Sequence, residues 1–187
     1  MSNISMKSLK ENFQKAHIVI IGSGIIGKFN ALELSELGFK VTIIDPTELQ
    51  NSSYAALGLL MGNMYQKRRG KSWDLRKQSI ELWPQWITFL QKFNSELNIE
   101  KPLIQLTTNE DKFKKLEKFI YENNDQNLRI LERDSIFIKN INKAFQTKNI
   151  KGIISFKDGR INPLSLLQTL DKYLKHKNIN FSEGEII

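Results

Sequence analysis

The amino-terminal third of the chain shows two short apolar runs separated by a helical pattern. Residues 17–21 form a continuous β-branched run, which is typical of a parallel strand buried on both faces. Apolar positions then recur at helical spacing as far as Gly38, a residue type that commonly follows the end of a helix. Residues 40–44 form the second apolar run. This succession predicts a parallel βαβ unit.

The rest of the chain alternates between helical and strand patterns. Residues 72–97 are predicted as one amphipathic helix, and its apolar face contains Leu82, Trp83, Trp86, Phe89, Leu90, Phe93 and Leu97. Strands are predicted at 103–107, 128–131, 150–156 and 178–182, with helices at 109–122 and 163–175.

The composition excludes several classes of chemistry. The chain has no cysteine, which excludes disulfides, thiolate metal sites and cysteine nucleophiles. Its two histidines, His17 and His176, lie far apart in sequence, so neither a metal site nor a catalytic triad is predicted. The net charge is +8, but only six of the 28 cations are arginine and they are scattered. We interpret this charge as solvated surface and predict no nucleic-acid partner.

The same pattern argues against a membrane span. Residues 1–16 are polar, and we interpret them as an amino-terminal extension without an apolar targeting segment. The longest apolar run, residues 18–26, is interrupted by Gly22 and Gly24 and is too short to cross a bilayer. A soluble cytoplasmic protein is expected. The basic loop 67–71 is likewise expected to be solvated.

A glycine motif joins the first strand to the first helix. Gly22, Gly24 and Gly27 fit the pattern G-x-G-x-x-G. The first glycine permits the tight turn, the second allows a pyrophosphate to approach the backbone, and the third allows close packing of helix and strand. The N–H groups of Ile25 and Ile26 are expected to be free at the helix N-terminus, where they would face the phosphates. The motif predicts dinucleotide binding.

Asp45 ends the second strand, 23 residues after Gly22. A carboxylate at this position can accept hydrogen bonds from both ribose hydroxyls of an adenosine, and it disfavours the 2′-phosphate of NADP. The motif and this carboxylate do not distinguish FAD from NAD.

Two later blocks resemble a known family. Residues 51–61, Asn-Ser-Ser-Tyr-Ala-Ala-Leu-Gly-Leu-Leu-Met, and residues 156–170, which contain Asp158-Gly and Asn162-Pro, are similar to segments of the D-amino-acid oxidase, glycine oxidase and sarcosine oxidase superfamily. In that superfamily a Ser/Thr-Ser-Ala-Ala-x-Gly segment follows the first βαβ unit and wraps FAD. The second block resembles the turn and helix that return the chain from the substrate domain.

The resemblance implies an α/β fold, a Rossmann-like FAD/NAD(P)-binding βαβ domain with the start of an antiparallel substrate-domain sheet. Residues 17–100 and 157–187 would form the FAD-binding part, and residues 101–156 would begin the substrate domain. The similarity covers residues 17–187, and the carboxyl-terminal half of the family fold is expected to be absent.

The resemblance also implies FAD as cofactor and a small amine or amino acid as substrate. Besides the glycine motif and Asp45, it implies cofactor contacts from Pro46, Ser52, Ser53, Leu57, Gly58, Leu59 and Ile187, the last through its main chain to the adenine. In this family the flavin N5 accepts hydride from the carbon that bears the amine. The residues that would match the substrate lie largely in the absent half, so no catalytic residue is assigned.

Three functions remain open at this stage. In the first, the chain is the amino-terminal half of an FAD-dependent amine or amino-acid oxidoreductase, either truncated or completed by a second polypeptide. Alternatively, it is a non-catalytic nucleotide-binding or assembly module. The third possibility is an NAD-dependent dehydrogenase. It is disfavoured because residues 51–61 and 156–170 would have no role in such an enzyme.

Overall fold

The computed structural model describes residues 16–46, 52–131, 136–145 and 150–184. The elements in chain order are β1 (His17–Ile21), α1 (Ile25–Glu36), β2 (Lys40–Asp45), β3 (Leu59–Leu60), α2 (Lys71–Leu90), β4 (Leu103–Thr107), α3 (Glu110–Asn123), β5 (Leu128–Leu131), α4 (Ile136–Phe145), β6 (Lys151–Ser155), β7 (Gly159–Arg160), α5 (Pro163–His176) and β8 (Asn180–Glu183).

These elements divide into two units. The first contains the described residues up to Leu57, Trp86–Leu97, and those from Asn162 onward. The second contains the described residues of Gly58–Gln85 and Asn98–Ile161. The helix α2 begins in the second unit and ends in the first.

The first unit contains a parallel sheet with the strand order β1-β2-β8. In its register Ile18 lies opposite Val41, and Ile43 lies opposite Phe181 on the next strand. The helix α1 connects β1 to β2, which confirms the predicted βαβ unit. Gly38 follows the helix with a φ of +90°, a left-handed conformation that glycine adopts without strain.

The core of the first unit forms where α1 packs against the sheet and against α5. Its buried apolar residues include Ala31, Leu32, Val41, Ile43, Leu166, Leu167, Leu170, Tyr173 and Leu174. Asn162 caps α5 by accepting a hydrogen bond from the N–H of Ser165 at 3.2 Å, and Pro163 occupies the first turn, where its missing N–H costs nothing. The Asn-Pro pair is therefore a helix start.

The first strand differs from its prediction of burial on both faces. Val19 is 49% exposed and Ile21 is 64% exposed. The exposed residues alternate along β1 and therefore share one face of the strand, which the described residues leave largely uncovered. The β-branched run correctly predicted the strand, but not how much of it is covered.

The second unit contains an antiparallel sheet with the strand order β4-β6-β5, as predicted for the start of a substrate-domain sheet. A separate two-stranded ladder joins β3 to β7. One buried cluster contains Met64, Leu116, Phe119, Leu128 and Ile153, and the other contains Leu131, Ile138, Ile150 and Ile154. Asn109 caps α3 by accepting from the N–H of Lys112 at 2.9 Å.

The helical predictions need two corrections. The helix α2 ends at Leu90 and not at Leu97, because residues 91–97 continue as turns. Its apolar face is only partly buried: Ile87 and Leu90 are covered, whereas Leu82 is 47% exposed. The pattern also gave no indication of α4. None of the described helices has both the length and the apolar composition needed to cross a bilayer.

Candidate active site: the glycine turn and its surroundings

The turn after β1 needs glycine for two reasons, a left-handed backbone at Gly22 and a lack of space at Gly27. Gly22 has a φ of +96°, and its N–H donates to the carbonyl of Ile44 at 2.8 Å, which ties the turn to β2. A Cβ on Gly27 would lie 2.0 Å from the Gly22 carbonyl oxygen and 3.3 Å from the Ile20 side chain. The third glycine of the motif therefore allows α1 to begin directly against the turn.

Gly24 caps the helix with extended backbone and supplies no side chain. The N–H of Ile25 donates to the Ser53 hydroxyl at 3.0 Å, so this group is not free, contrary to the prediction. The N–H of Ile26 has no hydrogen-bond partner among the described residues, and its side chain is 74% exposed. The helix N-terminus thus keeps one N–H without a partner among the described residues, beside a hydroxyl that accepts from the neighbouring N–H.

Asp45 lies beside the same turn. Its Oδ2 atom accepts a hydrogen bond from the backbone N–H of Ser23, and its carbonyl accepts from Gly184 at 3.3 Å. Within the described residues, the Oδ1 atom accepts no hydrogen bond. The carboxylate is half-buried, and the following Pro46 is exposed. One carboxylate oxygen therefore fixes the turn, and the other is left for a ligand.

This arrangement fits the pyrophosphate and ribose of a dinucleotide. A Cβ on Gly24 would lie 3.0 Å from the Ser53 hydroxyl oxygen, so any side chain there would crowd the helix N-terminus. The backbone is thus open to close approach where the dipole favours an anion, and a carboxylate lies at the end of the neighbouring strand.

The other predicted contacts are distributed over both units. In the first unit Ser52 is exposed, Ser53 is half-buried and Leu57 is 71% exposed. In the second unit Gly58 has a φ of +69° and Leu59 is 46% exposed. Of these residues, Ser53 contacts the glycine turn, through its hydrogen bond with the N–H of Ile25. Ile187 lies outside the described residues.

An ion pair beneath the helix was not predicted. Lys28 directly follows the glycine motif and is 3% exposed, and its amine contacts the Asp171 carboxylate of α5. The same amine lies 5.6 Å from the centre of the Phe181 ring. Lys28 lies three and four residues before the buried Ala31 and Leu32, which places it on the inward face of α1. This spacing is the sequence signal that could have predicted its burial.

Tyr54 also adjoins these carboxylates. Burial, followed by the negative charges of Asp171 and Asp45, raises the pKa of the Tyr54 hydroxyl. The phenol is therefore neutral at physiological pH, close to the carboxylate predicted to bind ribose. Its position between the two serines and the two alanines of residues 52–56 was the only sequence signal.

The loop 67–71 is exposed as expected, except at Arg68, which is half-buried. Arg68 donates to the Asn63 carbonyl and to the Asn123 side chain at 2.9 Å, and its guanidinium carbon lies 4.9 Å from the Phe119 ring centre. Arg68 therefore has a structural role within the second unit. Among the described residues no three His, Asp or Glu side chains cluster as metal ligands would.

A glycine turn that opens a helix, beside a carboxylate that ends the next parallel strand, defines a dinucleotide-binding protein. The chain belongs to the DAO family, described as FAD dependent oxidoreductase, whose model matches residues 17–187. The predicted superfamily is thereby confirmed, and FAD is the cofactor of this family.

Solved structures share the fold. Iminodiacetate oxidase from Chelativorans sp. BNC1 aligns with a TM-score of 0.73 at 17% identity, over 91% of this chain and 47% of that chain. Glycine oxidase from Bacillus cereus ATCC 14579 gives 0.70 at 22% identity, over 90% and 46%. Glycine oxidase from Geobacillus kaustophilus gives 0.69 at 21% identity, over 88% and 45%. The chain spans about half the length of these structures. Curated proteins gave no significant match.

Proposed function

We propose that the chain binds the ADP part of FAD and supplies the nucleotide-binding half of an amine or amino-acid oxidoreductase of the glycine oxidase type. The observation that carries this proposal is the glycine turn itself. Among the described residues, the N–H of Ile26 and the Oδ1 atom of Asp45 have no hydrogen-bond partner, and both lie on one small frame, which Ser23 and Ser53 hold together. Pyrophosphate and ribose need such donors and acceptors.

Each predicted cofactor contact has a defined task in this proposal. The backbone from Gly22 to Gly27 binds the pyrophosphate, and Asp45 accepts from the ribose. Ser53 holds the helix N-terminus in place, and the residues around Gly58 follow the cofactor toward its flavin end. FAD, when bound, supplies the hydride acceptor for a carbon that bears an amine. No residue of this chain is assigned a catalytic role.

The experiment for this proposal measures ADP binding by calorimetry in the wild type and in Asp45→Asn. The amide oxygen of the new side chain can still accept from Ser23, which leaves an NH₂ group toward the ribose. We expect the Kd for ADP to rise roughly ten- to a hundredfold, because a charge-assisted contact becomes a mismatched one.

The matched ligand is 2′-deoxy-ADP, which lacks one of the two hydroxyls. The substitution should cost this ligand clearly less than it costs ADP. Equal losses for the two ligands would show that Asp45 does not bind the ribose. A wild type that binds neither ADP nor FAD would overturn the proposed function.

We further propose that a second polypeptide supplies the rest of the oxidoreductase. The substrate proposed for the completed enzyme is a small amine or amino acid, and the proposed location is the cytoplasm. Support for the partner comes from β1, whose outer edge is unpaired among the described strands and whose Val19 and Ile21 are about half exposed or more. An unpaired apolar strand edge is a site of association.

The purified chain should therefore self-associate in sedimentation velocity experiments, and Val19→Thr/Ile21→Thr should reduce this association. Alone it should not reduce FAD with glycine or sarcosine. A monomeric wild type that reduces bound FAD with either amine would contradict the need for a partner and would favour a complete enzyme. A stable monomer that binds nucleotide and never reduces FAD would favour the non-catalytic module.

A further inference from the structure

A short stretch of the second unit holds the segment 58–64 along its length. The N–H of Ile161 donates to the Gly58 carbonyl at 2.9 Å. The strand β3 then pairs with β7, so that Leu59 lies opposite Arg160. These contacts fix the first half of the segment by backbone pairing. The second half is fixed differently, by one side chain.

The Asp158 carboxylate binds three consecutive backbone N–H groups. Its Oδ1 atom accepts from Gly62 at 2.7 Å and from Asn63 at 2.8 Å, and its Oδ2 atom accepts from Met64 at 2.7 Å. The side chain is 1% exposed, and its own N–H donates to the Ser155 hydroxyl at 3.1 Å. The carboxylate is thus oriented from its own turn and satisfied by the opposite loop.

No other residue type serves this position equally well. Among the described residues, no ion pair includes Asp158, so the three N–H dipoles are what compensate its buried charge. An asparagine of the same size would turn an NH₂ donor toward N–H donors. The sequence places this aspartate in an Asp-Gly turn, which accounts for Gly159 but not for a buried carboxylate.

We propose that Asp158 is a positioning residue that sets the backbone path of the segment 58–64 and thereby its fit to FAD. This inference rests on the proposed function, because there the residues around Gly58 follow the cofactor. Asp158 is not one of the predicted cofactor contacts, so in this proposal it acts on the cofactor only through the segment. Its loss should therefore affect FAD more than ADP.

The first arm of the test needs no ligand. In amide hydrogen exchange, the N–H groups of Gly62, Asn63 and Met64 should exchange at least about tenfold faster in Asp158→Asn than in the wild type, because each loses a charge-assisted acceptor. Circular dichroism checks that the variant folds. Should it fail to fold, slow exchange of the three amides in the wild type tests the same contact. Unchanged exchange in the variant, or fast exchange in the wild type, would overturn the inference.

The second arm compares two ligands in the same variant. The Kd for FAD should rise about tenfold or more, while the Kd for ADP stays within about threefold of the wild type. A merely structural role would weaken both ligands together. Equal losses, or no loss, for FAD and ADP would overturn the positioning role. A wild type that binds no FAD would instead overturn the proposed function, and the exchange arm would still decide whether Asp158 sets the segment.

The matched control is Asp125→Asn in the same unit. Asp125 accepts from the side chain of Asn63 at 3.0 Å and from the N–H of Asn127 at 2.9 Å, and it bonds none of the three amides. Its substitution should leave the exchange of residues 62–64 and the Kd for FAD within about threefold of the wild type. If Asp125→Asn changes the exchange of residues 62–64 and the Kd for FAD as much as Asp158→Asn does, the effect is not specific to Asp158 and the inference is overturned.

Discussion

Replacement of Gly27 by alanine should abolish binding of both ADP and FAD. The new Cβ would lie 2.0 Å from the Gly22 carbonyl oxygen, and backbone cannot move aside as a flexible side chain can. Either the turn shifts or α1 moves away from β1, and both changes displace the N–H groups at the helix N-terminus. We expect more than about a hundredfold loss of affinity for each ligand and about 1–3 kcal/mol of destabilisation from overpacking.

Two glycine variants serve as controls, and calorimetry with urea unfolding measures all three. Gly24→Ala meets only the Ser53 hydroxyl within the protein, at 3.0 Å, so it should cost less stability than Gly27→Ala, but its methyl group lies where the pyrophosphate approaches the backbone and should still weaken both ligands. Gly70→Ala has strained backbone, with a φ of +78°, but open space around the Cβ, so it should lower stability by about 1 kcal/mol without changing affinity. ADP affinity in Gly27→Ala within threefold of the wild type would show that the turn tolerates the added atom.

The sequence predicts the βαβ unit because its signals are local. The glycines between residues 22 and 27 and the carboxylate at 45 act within one turn or across neighbouring strands. The strands β4, β5, β6 and β8 were predicted for a similar reason, since each is a short run rich in apolar residues, whereas the two-residue strands β3 and β7 were not predicted. The direction of their pairing came from the family resemblance, which fixes topology where local pattern does not.

The features that the sequence did not predict depend on contacts between distant segments. Ser53 satisfies Ile25 across 28 residues, and Asp158 satisfies Gly62 across 96. Serine and aspartate are common in loops for local reasons, so neither residue type indicates such a partner. The prediction that β1 is buried on both faces was wrong for a related reason, because the burial of a strand depends on the distant segments that cover it.

Removal of the Asp171 carboxylate should destabilise the first unit strongly. Lys28 is 3% exposed, and its amine contacts Asp171 beneath α1, so Asp171→Ala would leave a buried ammonium without its ionic partner. Such a loss typically costs about 3–5 kcal/mol. Removal of Lys28 should cost much less stability, because the Asp171 side chain that remains is 27% exposed and water can solvate its charge. Lys28→Met conserves most of the buried volume and should change the free energy of unfolding by less than about 1 kcal/mol.

Urea unfolding of the two single variants and of the double variant Lys28→Met/Asp171→Ala measures this asymmetry. The double variant should be more stable than Asp171→Ala alone, because it removes the uncompensated charge. Glu122→Ala is the matched control, since it breaks the ion pair of Glu122 with Lys118, whose side chains are 62% and 75% exposed, and should cost less than about 1 kcal/mol. If Lys28→Met costs as much as Asp171→Ala, the pair stabilises the helices α1 and α5 by its net attraction, and the desolvated lysine is not the decisive charge.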